Sequence, residues 1–187
     1  LLSRRQRQMC IRDSFNIDGQ VFYILDDVPR AASYNICNFT IPGERPLSLA
    51  MPAPPLFAQK PAAPAVRNFD GVVSTTVTVN RNLMDFYTNY PPCHWSVYAA
   101  TALTAPVRGQ LYPPLRAAVA GKGEREAAEL LLHYLHRAFP YKTDEAQFGV
   151  ERTLFAEEMY YYPYSDCEDR SILFARLVKD CLLYTSP

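Results

Sequence analysis

The chain has 187 residues, 49% of them apolar, and its 19 Lys and Arg balance 19 Asp and Glu to a formal net charge of zero. Such a length holds one ordinary domain, or a small domain plus part of another. The neutral balance gives no electrostatic reason to expect nucleic acid or an anionic membrane as partner, and no apolar run approaches the ~20 residues that span a bilayer.

Residues 1–14 are basic and polar and lack the apolar core of a signal peptide, so they set no compartment. Gln8-Met9-Cys10-Ile11-Arg12-Asp13-Ser14 and residues 181–187 resemble translated adapter read-through, and both ends are set apart from the fold as non-native tails. That leaves Cys37, Cys93 and Cys167, whose spacing matches neither a zinc pattern nor a dense disulfide framework. A reduced chain with an odd reactive thiol is the simpler account, with a Cys37–Cys93 disulfide as the alternative.

From Phe15, two apolar stretches flank Asp18-Gly19, a hairpin signal, and residues 33–41 suggest a third strand. Pro42, Pro46, Pro52, Pro54, Pro55, Pro61 and Pro64 follow in an alanine-rich stretch. Their fixed φ and missing donors exclude a central strand or regular helix, which points to an extended linker or surface wrap at about 42–66. Pro52-x-x-Pro55 lacks the flanking positive charge of a proline-rich ligand. Residues 71–80 alternate cleanly, with Val73, Thr75, Val77 and Val79 on one strand face. Residues 83–90 read as a short helix or loop stopped by Pro91 and Pro92, and residues 95–103 as a returning strand. Residues 15–105 thus read as a β-rich, sandwich-like accessory unit. Within it Cys93 and His94 are adjacent, so their side chains diverge, and with no third polar partner nearby they read as structural.

The character then changes. Residues 112–120 read as a short helix with Pro113 and Pro114 in its opening turn and Gly121 closing it. A longer helix follows over 124–139, where Ala127, Leu131, Tyr134, Leu135 and Ala138 recur on one face. His133 and His136 share one side of it, but no Glu sits in a His-Glu-x-x-His arrangement, so they read as surface histidines. Residues 141–159 form a polar connection with Glu157 and Glu158 as a solvated pair. Gln147 within it is a side-chain amide of the type that serves oxyanions.

The chain is organised around residues 160–178. Tyr160, Tyr161, Tyr162 and Tyr164 make a rigid apolar wall with hydroxyl handles, of which Tyr162 and Tyr164 are the candidates for contacting substrate. Ser165 with Glu168 matches a capping box, which puts Cys167 at the second helical position, where the dipole and free N–H groups favour a thiolate. Asp166, Glu168 and Asp169 surround that thiol with opposing negative charge.

Ser165-Asp166-Cys167-Glu168-Asp169-Arg170-Ser171 and the apolar run to Val178 resemble the nucleophile helix of the transglutaminase-like cysteine peptidase superfamily. Phe139-Pro140-Tyr141-Lys142-Thr143-Asp144 resembles the segment that precedes the nucleophile there, so the likeness covers roughly residues 110–180. The resemblance implies an α+β chain whose residues 106–180 are the truncated helical first half of a papain-like domain. Cys167 would attack an amide or ester carbonyl of a peptide or protein substrate and form a thioacyl intermediate, with Asp166 and Gln147 as site support and no metal or cofactor. Water as second acceptor gives a peptidase or amidase, and an amine gives a transglutaminase. In the superfamily a histidine and an aspartate follow the cysteine. Here the sequence stops before that pair, which implies a nucleophile half that is inactive by itself. The alternative is a non-catalytic interaction module with a degenerate peptidase-like domain.

Overall fold

A computed structural model describes residues 50–182 and, as backbone strands, Ser14–Ile17 (β1), Gln20–Ile24 (β2) and Ser33–Asn35 (β3). The rest of the basic N-terminal tail, Cys37, the Pro42 and Pro46 part of the proline-rich stretch and residues 183–187 lie outside the described residues. β1 and β2 pair antiparallel with Ile17 opposite Gln20, which leaves Asp18 and Gly19 as the connection, and β3 pairs antiparallel with β2. The chain is mixed α+β. Its described sheets have three and two strands, so no sandwich is formed among the described residues.

The second sheet is the hairpin of Ala65–Phe69 (β4) and Val73–Val77 (β5). Its turn is Asp70-Gly71, both at positive φ, with Val72 N–H donating to the Phe69 carbonyl at 2.7 Å. Consecutive positive φ values match the right-handed twist of the strands they join, which is why an Asp-Gly pair sits here. Val73, Thr75 and Val77 face inward, as the alternation predicts.

Three helices replace or extend what the pattern suggests, and a fourth matches it. Arg81–Thr88 (α1) is capped by Asn80, whose side chain accepts from Asn82 N–H. Trp95–Ala100 (α2) is a helix where a strand is expected, because His94 caps it by accepting from Ser96 N–H and Tyr98 anchors it in the core. Ala105–Val119 (α3) is one helix, not a short one opening at Tyr112, and Pro113 and Pro114 lie inside it. Pro113 and Gly109 are on the exposed side, so the carbonyl that loses its partner to Pro113 faces water. The stripe of Val107, Leu111, Leu115 and Val119 holds the helix by packing rather than by propensity. Glu124–Ala138 (α4) buries the expected Ala127, Leu131, Tyr134, Leu135 and Ala138.

β5 packs along α3 and β4 along α4, while Cys167–Leu177 (α6) packs against α2 and α4. Buried apolar side chains from Met51 to Cys181 form one cluster that runs without a gap past residue 105. Cys181, set aside as tail from the sequence, is buried in that cluster on a π-helical turn, Val178–Leu182. Arg176, Arg116 and Tyr112 tie Asp180 of this turn to α6 and α3.

The described part of the proline-rich stretch is a strap rather than a loose linker. The carbonyls of Met51 and Pro52 accept from Thr101 Oγ1 at 2.7 Å and Ala102 N–H at 3.1 Å, and Ala62 N–H donates to the Val79 carbonyl at 2.9 Å. Asn80 binds the strap twice more, accepting from Lys60 N–H at 3.0 Å and donating to the Ala58 carbonyl at 3.2 Å. One side chain therefore caps α1 and fastens the strap. Asn80→Ala is expected to cost about 1–3 kcal/mol in urea unfolding and to expose residues 50–64 to early protease cleavage. A loss under about 0.5 kcal/mol with unchanged cleavage would show that the strap is held by other contacts.

Candidate active site around Cys167

The start of α6 differs from the expected cap by one residue. Asp166, not Ser165, is the N-cap: its Oδ1 accepts from Glu168 N–H at 2.9 Å and Asp169 N–H at 3.1 Å. Asp169 Oδ2 returns a bond to Asp166 N–H at 3.3 Å, closing an Asp-x-x-Asp capping box. Cys167 is thus the first helical residue. Ser165 is buried instead in a parallel bridge to Tyr141, its N–H donating to the Pro140 carbonyl at 3.2 Å and its own carbonyl accepting from Lys142 N–H at 3.3 Å. That bridge locks residues 140–142 beside the segment that delivers the thiol.

Cys167 is exposed and carries a free thiol, whereas Cys93 is half-buried and free and Cys181 is buried and free. Burial first, then the carboxylates of Asp166 and Glu168, push the Cys167 thiol above its ordinary value. The N–H groups of Cys167 and Glu168 pull the other way and do not overcome them. The helix dipole, worth about half a charge, acts against full charges at the same spot.

Residues 152–154 run alongside and are clamped by carboxylates. Arg152 N–H donates to Asp144 Oδ2 at 2.9 Å, Thr153 Oγ1 to Glu168 Oε1 at 2.7 Å and Leu154 N–H to Asp169 Oδ1 at 2.8 Å. Asp144 opens the short helix Asp144–Phe148 (α5), which ends at Gly149 with φ of 78°. Asp144, Asp166 and Asp169 each present a carboxylate oxygen within 4.8 Å of the others, with Asp144 and Asp169 buried. An oxygen-only set of this kind suits a hard cation by donor type, although each member already accepts an N–H bond. Burial pushes Asp144 up to about 7, and burial followed by the Asp166 charge pushes Asp169 up to about 8.

The remaining expected site residues separate. Tyr162 Oη accepts from Arg152 Nη1 at 2.8 Å, and its ring meets Phe148 edge-on with centroids 5.0 Å apart, so it is tied into the clamp. Tyr164 is exposed, with Lys142 Nζ 5.1 Å from its ring centroid. Tyr160 is wholly buried, its hydroxyl 3.1 Å from that of Tyr134, which in turn lies 2.7 Å from Thr75 Oγ1. The tyrosines are therefore not one wall. Gln147 donates to the Tyr164 carbonyl at 3.3 Å through one of its two amide N–H groups.

Glu157 and Glu158 are not a solvated pair but are both buried. Glu157 caps α3 by accepting from Thr104 N–H at 2.8 Å and Oγ1 at 2.9 Å. Glu158 pairs with Arg152 and accepts from Phe155 N–H at 2.9 Å. Burial pushes Glu158 up to about 7 despite the Arg152 charge. In the sequence Asp169 stands out only as a charge beside the thiol and Asp144 only as part of the segment before it, and Arg152 and Thr153 not at all, although Asp166-x-x-Asp169 is itself a legible cap pattern.

Among the described residues no histidine hydrogen-bonds to Cys167. His94 caps α2, with Ser96 Oγ 2.8 Å from its Nδ1. His133 stacks on Phe69 with centroids 6.4 Å apart, and His136 is exposed on the same helix. No family model, no curated protein and no solved structure matches this chain.

Asp144, Glu158 and Asp169 give stability a definite sign with pH. Each keeps a proton in the folded chain at pH values where an unfolded carboxyl has released it, so folding takes up protons. Their contribution is flat below about pH 4 and falls as pH rises toward about 7 to 8. Urea midpoints are expected to drop between pH 5 and 8, with a shallower slope for Asp144→Asn. A midpoint that rises across that window would show these carboxyls to be ionised in the folded chain.

Proposed function

We infer that Cys167 is the nucleophile of a transglutaminase-like cysteine hydrolase, acting on an amide or ester carbonyl through a thioacyl intermediate. The observation that carries this reading is an exposed thiol on the first residue of α6, at the end of a segment held in place on both sides. The likeness of residues 165–178 to the superfamily's nucleophile helix supports it, as does the buried packing of Ile172, Leu173 and Leu177 behind the thiol. The first-turn N–H groups of Glu168 and Asp169 are taken by Asp166, which leaves the Cys167 N–H as the natural oxyanion donor.

The reading requires a histidine that none of the described histidines provides. An imidazolium beside the sulfur would offset Asp166 and Glu168 and bring the thiol down. Hydrolysis and transamidation then differ only in the second acceptor.

A second reading has its own support. The direction in which Cys167 is displaced is that of an unreactive thiol, which fits an interaction module with a degenerate peptidase-like part.

The two readings part in one experiment on the full gene product. Hydrolysis of a peptide amide, or amine incorporation, abolished by Cys167→Ala supports the enzyme, together with a covalent acyl adduct at Cys167 seen by mass spectrometry after exposure to an activated ester. Undiminished turnover in Cys167→Ala, or no adduct and no turnover, sinks it. The 187-residue chain by itself is expected to show no amide turnover, and peptide-resolved alkylation should label Cys167 before Cys93 and Cys93 before Cys181.

A further inference from the structure

Leu56 is the most exposed large apolar side chain among the described residues, at 99% of its full surface against 57% for Trp95 and Tyr141. Yet it does not sit on a loose loop. On its N-terminal side Met51 is buried, and the Met51 and Pro52 carbonyls accept from Thr101 Oγ1 and Ala102 N–H. On its C-terminal side the Phe57 ring packs against Phe86 with centroids 5.4 Å apart. The Ala58 carbonyl accepts from Asn82 Nδ2 at 2.8 Å and Asn80 Nδ2 at 3.2 Å, and the Lys60 carbonyl accepts from Arg81 N–H at 2.7 Å. Only Ala53, Pro54, Pro55 and Leu56 bridge these anchors.

The span between them is stiff. Pro54 and Pro55 have fixed φ, and a residue that precedes a proline is held out of the helical region, so Ala53 and Pro54 are extended. Leu56 thus stands clear of the surface on a short arm that has already lost its freedom on folding, the state in which a side chain anchors a partner at least cost. An extended main chain with one apolar side chain projecting from it is the form that an endopeptidase cleft takes up, and pre-organised loops bind such clefts with little rearrangement. A proline-binding groove suits the segment less, because the chain bends at Pro52 and Ala53, the Pro52 carbonyl is occupied and Pro54 is half-buried.

We propose that residues 53–58 are an inhibitory loop for a serine endopeptidase with an apolar primary pocket: Leu56 fills the pocket, and the bond between Leu56 and Phe57 is cut slowly and reversibly. In the cut the peptidase's serine oxygen bonds to the Leu56 carbonyl carbon and the Leu56–Phe57 C–N bond breaks. The serine proton passes through the peptidase's histidine to the Phe57 nitrogen. Asn80, Asn82 and Phe86 hold the stretch from Phe57 to Lys60 in place, so the new amine stays beside the acyl group and re-forms the peptide bond before water displaces it. None of this uses Cys167, so the proposal and the enzyme reading fail separately.

The test sets the 187-residue chain against chymotrypsin, whose pocket is apolar, and trypsin, whose pocket is acidic, each assayed on a small chromogenic amide. The chain is expected to inhibit chymotrypsin competitively with a Ki of about 10 μM or tighter and trypsin at least about tenfold less well. Inhibition should persist for hours while mass spectrometry shows the 56–57 bond mostly intact. Leu56→Arg, at a side chain with no packing to lose, should weaken chymotrypsin inhibition about tenfold or more and create trypsin inhibition. Rapid cleavage at 56–57, with inhibition fading in minutes, makes the segment an ordinary substrate and overturns the proposal. Equal inhibition by the wild type and Leu56→Arg overturns it as well. So does an absence of inhibition, including the case in which Leu56→Arg instead abolishes self-association in sedimentation and so assigns the arm to a second copy.

Discussion

The start of α6 is closed by a reciprocal pair of aspartates, and the local structure hangs from that closure. Asp169 is fully buried and binds two backbone N–H groups, that of Asp166 in its own cap and that of Leu154 in the neighbouring segment. A buried carboxyl with two such bonds is expensive to displace, since either donor left without a partner costs about 1–3 kcal/mol. The same side chain thus fixes where the helix begins and where residues 152–154 run, and through Arg152 it reaches Glu158, Tyr162 and Thr88.

This closure has an electrostatic cost for the thiol it presents. A helix start ordinarily offers its N–H groups and positive end to whatever anion lies nearest. Here Asp166 occupies two of those groups, and the thiol is left on the rim of an acidic cluster. Chemistry at Cys167 therefore depends on an added positive charge, and the geometry leaves the sulfur exposed to receive one. Exposure and poor ionisation are compatible because they have different causes. The first comes from the position of Cys167 on the helix, the second from local desolvation of the sulfur and then from the charges of Asp166 and Glu168.

Periodic features were legible in the sequence. The inward face of β5 and the five-residue stripe of α4 follow from alternation and from three- and four-residue steps, and both faces are the buried ones. Features that rest on one polar side chain were less so. α2 looks like a strand because Trp95, Val97 and Tyr98 favour sheet, yet a histidine cap and a buried tyrosine decide the matter. α3 looks interrupted because proline usually ends a helix, but Pro113 is exposed, Pro114 is half-buried, and the apolar stripe holds. At the site the position of Cys167 in a first helical turn was readable, while the acidic clamp was not. Asp144 and Asp169 are 25 residues apart in sequence, and what joins them is the segment 152–154, whose Arg152 and Leu154 N–H groups bind one each.

Arg67 adds a consequence for how the site comes together in time. From the β4 strand its guanidinium donates to the carbonyls of Met159 at 3.2 Å and Tyr162 at 3.0 Å, partners 92 and 95 residues away. It also lies 4.9 Å from the centre of the Phe139 ring, just ahead of the residues that flank Ser165. Contacts this distant in sequence close a large loop, and the entropy of closure is lost before any of them forms. α4 and α6 can begin from their own local patterns, and Arg152 and Tyr134 hold the tyrosine segment between them over short separations. The two bonds from Arg67 need the hairpin in place, so the last fastening of the segment that leads to the thiol comes from a residue a hundred positions upstream of Cys167.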